Sequence, residues 1–276
     1  MSASDKVPLV WLDCSAIPKS GRAHAAIGSS VSVLAAVKGF EFLDAGVRHR
    51  FDTLRREADR QDFLAARVLA KFVMSKVTGL PPAIVSIEQF CVDCNRAGHG
   101  KPFFPSHPEL SVSWSHQNGI VMAAVSTFDI GVDVETLSSI PVEPDFAENV
   151  LSDTELTILN KLPAASFDGT NLKQLYVARQ WVRKEAIVKL GDCSLDNLSM
   201  LDLGQLEFPD FYFDTFHRIS SGCDYEMIDI SIANRACLGA LVWRTGTHDI
   251  SLTTTKENAI HENQHPNGRR SNCRSV

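Results

Sequence analysis

The order of sequence patterns predicts an α+β fold made of two similar halves. Two observations carry that expectation. Helical periodicity is followed by strand-like alternation, and this succession occurs twice along the chain. The segment Phe63-Leu64-Ala65-Ala66-Arg67 also resembles Leu175-Tyr176-Val177-Ala178-Arg179, and Gly79 lies as far beyond the first as Gly191 lies beyond the second. The boundaries read from the sequence are 1–140 for the first half, 141–244 for the second and 245–276 for a tail.

Each element has its own signal. From Asp44 to Lys76 the apolar residues Phe51, Leu54, Phe63, Leu64, Val68 and Phe72 recur at helical spacing among charges, which predicts one or two amphipathic helices that Gly79, Pro81 and Pro82 end. Ala83 to Cys91 alternates as a strand does, and the Gly, His and Pro cluster from Gly98 to Pro108 predicts a long loop. Leu110 to Ser115, Ile120 to Ser126 and Ile130 to Glu135 follow at short intervals, separated by Asn118-Gly119 and Phe128-Asp129, and predict an antiparallel meander. Pro141 and Pro144 mark a linker. Beyond it, Asp145 to Leu159 and Leu172 to Leu190 have helical periodicity, with Ser152 and Glu155 spaced as a capping box. Residues 194–244 predict strands, with Ile228, Ile230 and Ile232 alternating and 236–243 apolar enough to be buried. After Thr245 the composition is polar and predicts disorder.

Composition narrows the function. With 27 Lys and Arg against 33 Asp and Glu, the chain has a net charge of −6, which argues against non-specific binding to nucleic acid or anionic membrane, so any anion site is local. The apolar runs are strand-length, shorter than the ~20 residues of a spanning helix. The first residues lack the basic start and unbroken apolar stretch of a secretory signal, so a cytoplasmic protein is expected. Seven cysteines at irregular spacing fit free thiols better than a disulfide framework.

The densest chemistry lies in Gly131-Val132-Asp133-Val134-Glu135, where two carboxylates two residues apart on a strand share a face. Such a pair repels itself unless a cation neutralises it, and oxygen-only ligation suits a hard ion such as Mg²⁺. A solvated strand end fits the pattern equally, so a third ligand is needed to decide. In Trp181-Val182-Arg183-Lys184-Glu185-Ala186-Ile187-Val188-Lys189, positions 181, 185 and 189 share a helix face, which also fits an ordinary surface Glu–Lys pair. Gly100-Lys101-Pro102 and Ser113-Trp114-Ser115-His116 add phosphate-type donors, an ammonium, a hydroxyl and an imidazole.

Taken in order, Gly100-Lys101-Pro102, Ser115-His116, the 131–135 segment and Trp181-x-x-Lys184-Glu185-x-x-x-Lys189 resemble the 4'-phosphopantetheinyl transferase superfamily, in its larger single-chain surfactin-synthetase-activating type. The resemblance runs from about Arg48 to Leu190. It implies two pseudo-symmetric halves, each with helices packed on a small antiparallel sheet, and an active site between them. It also implies transfer of 4'-phosphopantetheine from coenzyme A to a serine of an apo acyl or peptidyl carrier protein, the reaction of a holo-[acyl-carrier-protein] synthase, with Mg²⁺ as cofactor, coenzyme A as co-substrate and a monomer as the working unit. By the same resemblance, Asp133, Glu135 and Glu185 bind the metal and Lys101, Pro102, Ser115 and His116 belong to the coenzyme A site. Lys189 contacts the pyrophosphate, Lys184 points about a quarter-turn away, and Arg60 and Arg96 match places where basic residues meet coenzyme A phosphates. Glu185 and Lys189 are the catalytic candidates. Gln117 departs from the family pattern, where Ser or Thr often follows the Ser-His pair, and so does Trp114.

Three other readings have sequence support. A non-catalytic homologue that binds coenzyme A or a carrier protein would look the same except for losses at the site. Cys91-x-x-Cys94 with His99 and His107 is a recognisable zinc pattern, although a second Cys-x-x-Cys is missing. A hydrolase built on Ser115 and His116 is disfavoured, because neighbours on a strand point to opposite faces.

Overall fold

The computed structural model describes residues 8–17, 22–36, 45–91, 95–141, 143–164, 166–167, 170–206, 215–220, 224–232, 237–244 and 249–256. In chain order the elements are β1 (Val10–Ile17), β2 (Arg22–Ser29), α1 (Ser30–Ala36), α2 (Ala45–Thr53), α3 (Glu57–Thr78), β3 (Glu88–Cys91), β4 (Arg96–Phe103), β5 (Ser111–Gln117), β6 (Ile120–Ser126), β7 (Gly131–Thr136), α4 (Pro144–Val150), α5 (Asp153–Lys161), β8 (Ser166–Phe167), β9 (Thr170–Asn171), α6 (Leu172–Leu190), β10 (Thr215–Ser220), β11 (Tyr225–Ile232), β12 (Cys237–Arg244) and β13 (Asp249–Lys256). The fold is α+β, as the sequence predicts.

Two antiparallel sheets lie back to back between two long helices. The first has strand order β13-β1-β2-β6-β5-β4-β3 and the second β10-β11-β12-β7. Val10, Leu12, Ile27 and Met122 of the first sheet form one core with Val132, Val134, Ile228, Ile230 and Trp243 of the second. Helix α3 closes the outer face of the first sheet through Ala65, Ala66, Leu69 and Val73. Helix α6 closes the outer face of the second through Val182, Ala186 and Ile187 against Leu238, Ala240 and Val242. The internal similarity falls on these two helices, and each ends at a left-handed glycine, Gly79 at φ 74° and Gly191 at φ 104°. Helix α5 opens with the capping box of Ser152 and Glu155.

The structure departs from the sequence reading in several places. Residues 8–36, to which no element was assigned, hold β1, β2 and α1. Trp11 packs under α3 while Val10 and Leu12 face the second sheet, so both faces are apolar and the period-2 signal vanishes. The long loop expected over Gly98–Pro108 is mostly β4, in which Gly100 at φ 94° lies so close to Phe90 that a Cβ would sit 2.5 Å from its carbonyl oxygen. The expected meander stops after two strands, because β7 leaves β6 and pairs with β12, Asp133 opposite Ala240. Burial of Val132 and Val134 against both sheets draws β7 out of the first sheet. The boundary at 140 therefore falls after a strand that belongs to the second sheet. Finally, 249–256, expected to be disordered, form β13 and pair with β1 from Asp249 opposite Ile17 to Lys256 opposite Val10.

Candidate active site

The carboxylates of β7 and the motif of α6 meet because the two elements approach backbone to backbone. A Cβ on Gly131 would overlap the carbonyl oxygen of Ala186 and lie 2.9 Å from the amide nitrogen of Leu190. Only glycine lets β7 start this close to the helix, and the residues two and four positions on then face α6.

Asp133 is buried, and its Oδ1 accepts from Ser115 Oγ at 2.7 Å and from Lys189 Nζ at 2.6 Å. Its Oδ2 is buried with no hydrogen-bond partner among the described residues. Glu135 Oε2 accepts from Ser139 Oγ at 2.6 Å, Oε1 from Trp181 Nε1 at 3.4 Å, and Gln117 also bonds the carboxylate. Burial, with Asp133 beside it, raises the Glu135 pKa. Glu185 is pushed up to about 7, first by burial and then by Asp133, with Lys189 opposing. With Asp133 beside both glutamates and Lys189 as the ammonium that reaches them, the cluster is a centre short of positive charge.

Among the described residues, no three His, Cys, Asp or Glu side chains converge closely enough to enclose an ion by themselves. The donor set nonetheless fits Mg²⁺, which is usually held by one or two carboxylates completed by water and substrate phosphate oxygens. The unpartnered Asp133 Oδ2 is the atom such a cation would satisfy.

The other candidates are distributed as follows. Ser115 and His116 point to opposite sides of β5, the hydroxyl to Asp133 and the imidazole to a cleft of about 810 Å³. That cleft is bounded by the start of α3, by β4 and β5, by Thr136 at the end of β7 and by Ser138 just beyond it, and its basic lining residues are Arg50, Arg67, His99 and His116. His116 is exposed as a residue, but the groups packed around its ring lower its pKa by desolvation, with Asp62 opposing and Arg67 adding to the fall.

Lys101 is not brought to the cleft, since its ammonium meets Asp129 Oδ1 at 3.1 Å and the Leu190 carbonyl at 3.5 Å. Pro102 pairs with Gln89 in the β3–β4 ladder. Arg60 donates from Nε to the Leu54 carbonyl at 2.9 Å and lies 3.8 Å from Glu57, outside the cleft lining. Arg96 pairs through its backbone with Cys91, and its side chain lies outside the described residues. Lys184 is fully buried, bonded to Glu155 Oε2 at 2.5 Å, the Val150 carbonyl at 2.7 Å and the Leu198 carbonyl at 3.0 Å, where it ties α4, α5 and the 195–200 turn to α6.

Of the zinc pattern, Cys94 lies outside the described residues, His107 bonds Glu109 at 3.1 Å, and His99 lines the cleft. The sequence reading missed Ser139 and the cleft residues Arg50, Arg67 and Gln89. For Arg67 the one signal in the sequence is the Ala-Arg pair repeated at Ala178-Arg179, which marks the two helices and not their chemistry.

Comparison with known proteins finds similarity over the segments that carry these residues. Residues 129–234 match the model of the 4'-phosphopantetheinyl transferase superfamily, a span that contains β7 and all of α6. A 4'-phosphopantetheinyl transferase of Bacillus subtilis is 28% identical over 185 residues, 64% of this chain and 75% of that protein. The 4'-phosphopantetheinyl transferase psf-1 of Bacillus pumilus is 28% identical over 151 residues, 55% of this chain and 56% of that protein, so the match spans just over half of the second relative. Among the described residues no helix is long and apolar enough to cross a membrane.

Proposed function

From the resemblance to the 4'-phosphopantetheinyl transferase superfamily, now carried by a family match over 129–234 as well as by the motifs, we propose that this chain transfers 4'-phosphopantetheine from coenzyme A to a serine of an apo acyl or peptidyl carrier protein. The observation that carries the proposal is the gathering of Asp133, Glu135, Glu185 and Lys189 between β7 and α6. The products are the holo carrier protein and adenosine 3',5'-bisphosphate. In this reading the chain works in the cytoplasm as a monomer, because β7 and α6, which carry the site, belong to one chain.

In this reading the serine oxygen bonds to the β-phosphorus of coenzyme A as the pyrophosphate P–O bond breaks, and charge builds on the leaving phosphate oxygens. Asp133, Glu135 and Glu185 would hold Mg²⁺ together with water and substrate phosphate oxygens, and the ion when bound would supply charge stabilisation to those oxygens. Lys189 stands 2.6 Å from Asp133, within reach of the same phosphates, and its fixed ammonium favours the leaving group without solvent rearrangement. Ser115 holds Asp133 in place. Glu185, on the helix face that carries Lys189, receives the serine proton.

The test is intact-mass spectrometry of apo acyl and apo peptidyl carriers incubated with this protein, coenzyme A and Mg²⁺. A gain of about 340 Da that EDTA abolishes is expected. No gain on either carrier, from folded protein that binds coenzyme A, replaces the transferase with a non-catalytic binder.

A further inference from the structure

The turn that follows β7 carries part of the site and has little of its own to hold it. Residues Leu137–Ser139 make a single 3-10 turn, closed by one backbone hydrogen bond from the Ile140 amide to the Leu137 carbonyl at 3.3 Å. One such bond is a weak constraint. Yet the Ser139 hydroxyl in this turn lies 2.6 Å from Glu135 Oε2 and 2.5 Å from the Thr136 carbonyl, so the place of the turn decides where the Glu135 carboxylate points.

Gln174 of α6 supplies the missing support. Its Nε2 donates to the Leu137 carbonyl at 3.3 Å and to the Ile140 carbonyl at 3.4 Å, one acceptor at each end of the turn, and a side-chain amide has the two N–H bonds that this requires. Gln174 is itself fixed, because Asn171 Oδ1 caps α6 and accepts from the Lys173 amide at 2.9 Å and the Gln174 amide at 3.3 Å. Trp181, which donates to Glu135 Oε1, lies seven residues beyond Gln174, and Glu185 lies eleven beyond, so the three share one face of α6. That face carries Glu185 and sets Glu135 twice, directly through Trp181 and indirectly through the turn.

The other long helix repeats the device. Asp62 and Gln174 each stand five residues before the arginine of the repeated Ala-Arg pair, Arg67 and Arg179. Asp62 accepts from the Gly119 amide at 2.9 Å and so holds the turn after β5, as Gln174 holds the turn after β7. The two turns are joined, since Asn118 Nδ2 donates to Thr136 Oγ1 at 3.0 Å. Two helices that use the same position for the same task set Gln174 apart from a chance surface contact. We propose that Gln174 is a positioning residue that fixes Glu135 through the Leu137–Ser139 turn and so completes the carboxylate set for its cation. The inference rests on the metal reading above and adds to it the residue that aligns the second carboxylate.

The experiment is titration of the intact chain with Mn²⁺, read by electron paramagnetic resonance of the free ion. It compares the native protein with Gln174→Leu, Gln174→Glu, Ser139→Ala and the double variant Gln174→Leu/Ser139→Ala, with circular dichroism to verify folding. Gln174→Glu keeps the size of the side chain, has a charge that suits the first turn of α6, and offers the two carbonyls no donor. Gln174→Leu and Gln174→Glu each weaken Mn²⁺ binding about 10-fold, and either carries the test if the other does not fold. Because Gln174 acts through Ser139, the double variant loses about 10-fold and not about 100-fold. In metal-free Gln174→Leu the Ile140 amide exchanges hydrogen faster than in the native protein, which separates the turn from the ion. Native Mn²⁺ binding or native exchange at Ile140 in a folded variant, losses that multiply in the double variant, or loss of the fold in both single variants at Gln174 overturns the positioning role. A native protein that does not bind Mn²⁺ overturns the metal reading itself.

Discussion

The two lysines of the α6 motif, five residues apart, have opposite roles, and the difference is one of environment. Lys184 is enclosed by Glu155 and two carbonyls, with both charges of the pair fully buried. Removing one partner strands the other, so Lys184→Met is expected to lower unfolding free energy by about 3–5 kcal/mol, measured by urea denaturation. Lys189 is partly exposed and touches Asp133, so Lys189→Met is expected to remain folded and to lose transfer by orders of magnitude in the carrier mass assay. A Lys184 variant as stable as the native protein contradicts the first assignment, and an active Lys189 variant contradicts the second. Ser139 offers a subtler test. Its hydroxyl lies 2.6 Å from Glu135 Oε2, and outer partners of ligating carboxylates commonly set metal affinity, so Ser139→Ala is expected to weaken Mn²⁺ binding about 10-fold, read by electron paramagnetic resonance of the free ion, while Ser139→Thr retains it. The acids and Lys189 were legible in the sequence because alternation on a strand and four-residue spacing on a helix fix which side chains share a face. Ser139 and Arg67 were not, because their roles depend on which neutral or charged groups surround them, and that information comes from other elements.

At the scale of elements, the site depends on how closely β7 approaches α6, and that distance is set at Gly131. The glycine φ is not in the left-handed region, so the requirement is one of space and not of backbone freedom. In Gly131→Ala the new methyl collides with main-chain atoms of Ala186 and Leu190, which cannot turn aside as a side chain does. Strand and helix must separate, carrying Asp133 and Glu135 away from Glu185 and Lys189. The expected result is a lower melting temperature together with loss of Mn²⁺ binding, whereas Gly204→Ala, next to the exposed Asp202 and the side chain of Thr154, retains Mn²⁺ binding. Retained metal binding in Gly131→Ala shows that the approach is not what aligns the carboxylates. Most elements here are legible in the sequence, from the capping box of α5 to the glycine ends of α3 and α6, since caps and periodicity are local signals. The partner of β7 was beyond it. Strand pairing is decided by burial against residues distant in the chain, and an apolar run flanked by turns is consistent with either sheet.

At the scale of the whole molecule, the second half of the chain closes the first. After β12 completes the second sheet, the chain returns as β13 to the edge of the first sheet and pairs with β1 over the whole of both strands. Its composition hid this. Ser251-Leu252-Thr253-Thr254-Thr255 has few apolar residues, but β-branched threonine suits an edge strand, where one side of the backbone is paired and packing demands are small. The consequence is that β1 is an inner strand only while β13 is present. Val10, Leu12 and Trp11 of β1 belong to the cores on both faces of the sheet, so loss of β13 exposes backbone donors and acceptors next to the most buried part of the molecule. A chain ended at His248 is therefore expected to melt at lower temperature and to associate through the uncovered β1 edge, seen by thermal denaturation and size-exclusion chromatography. The carboxylate site lies on the second sheet and α6, away from that edge, so the fraction that stays folded and monomeric is expected to bind Mn²⁺ as the full chain does. Unchanged melting and elution make β13 dispensable, and lost metal binding in folded monomer means that the two sheets are coupled more tightly than their shared core alone requires.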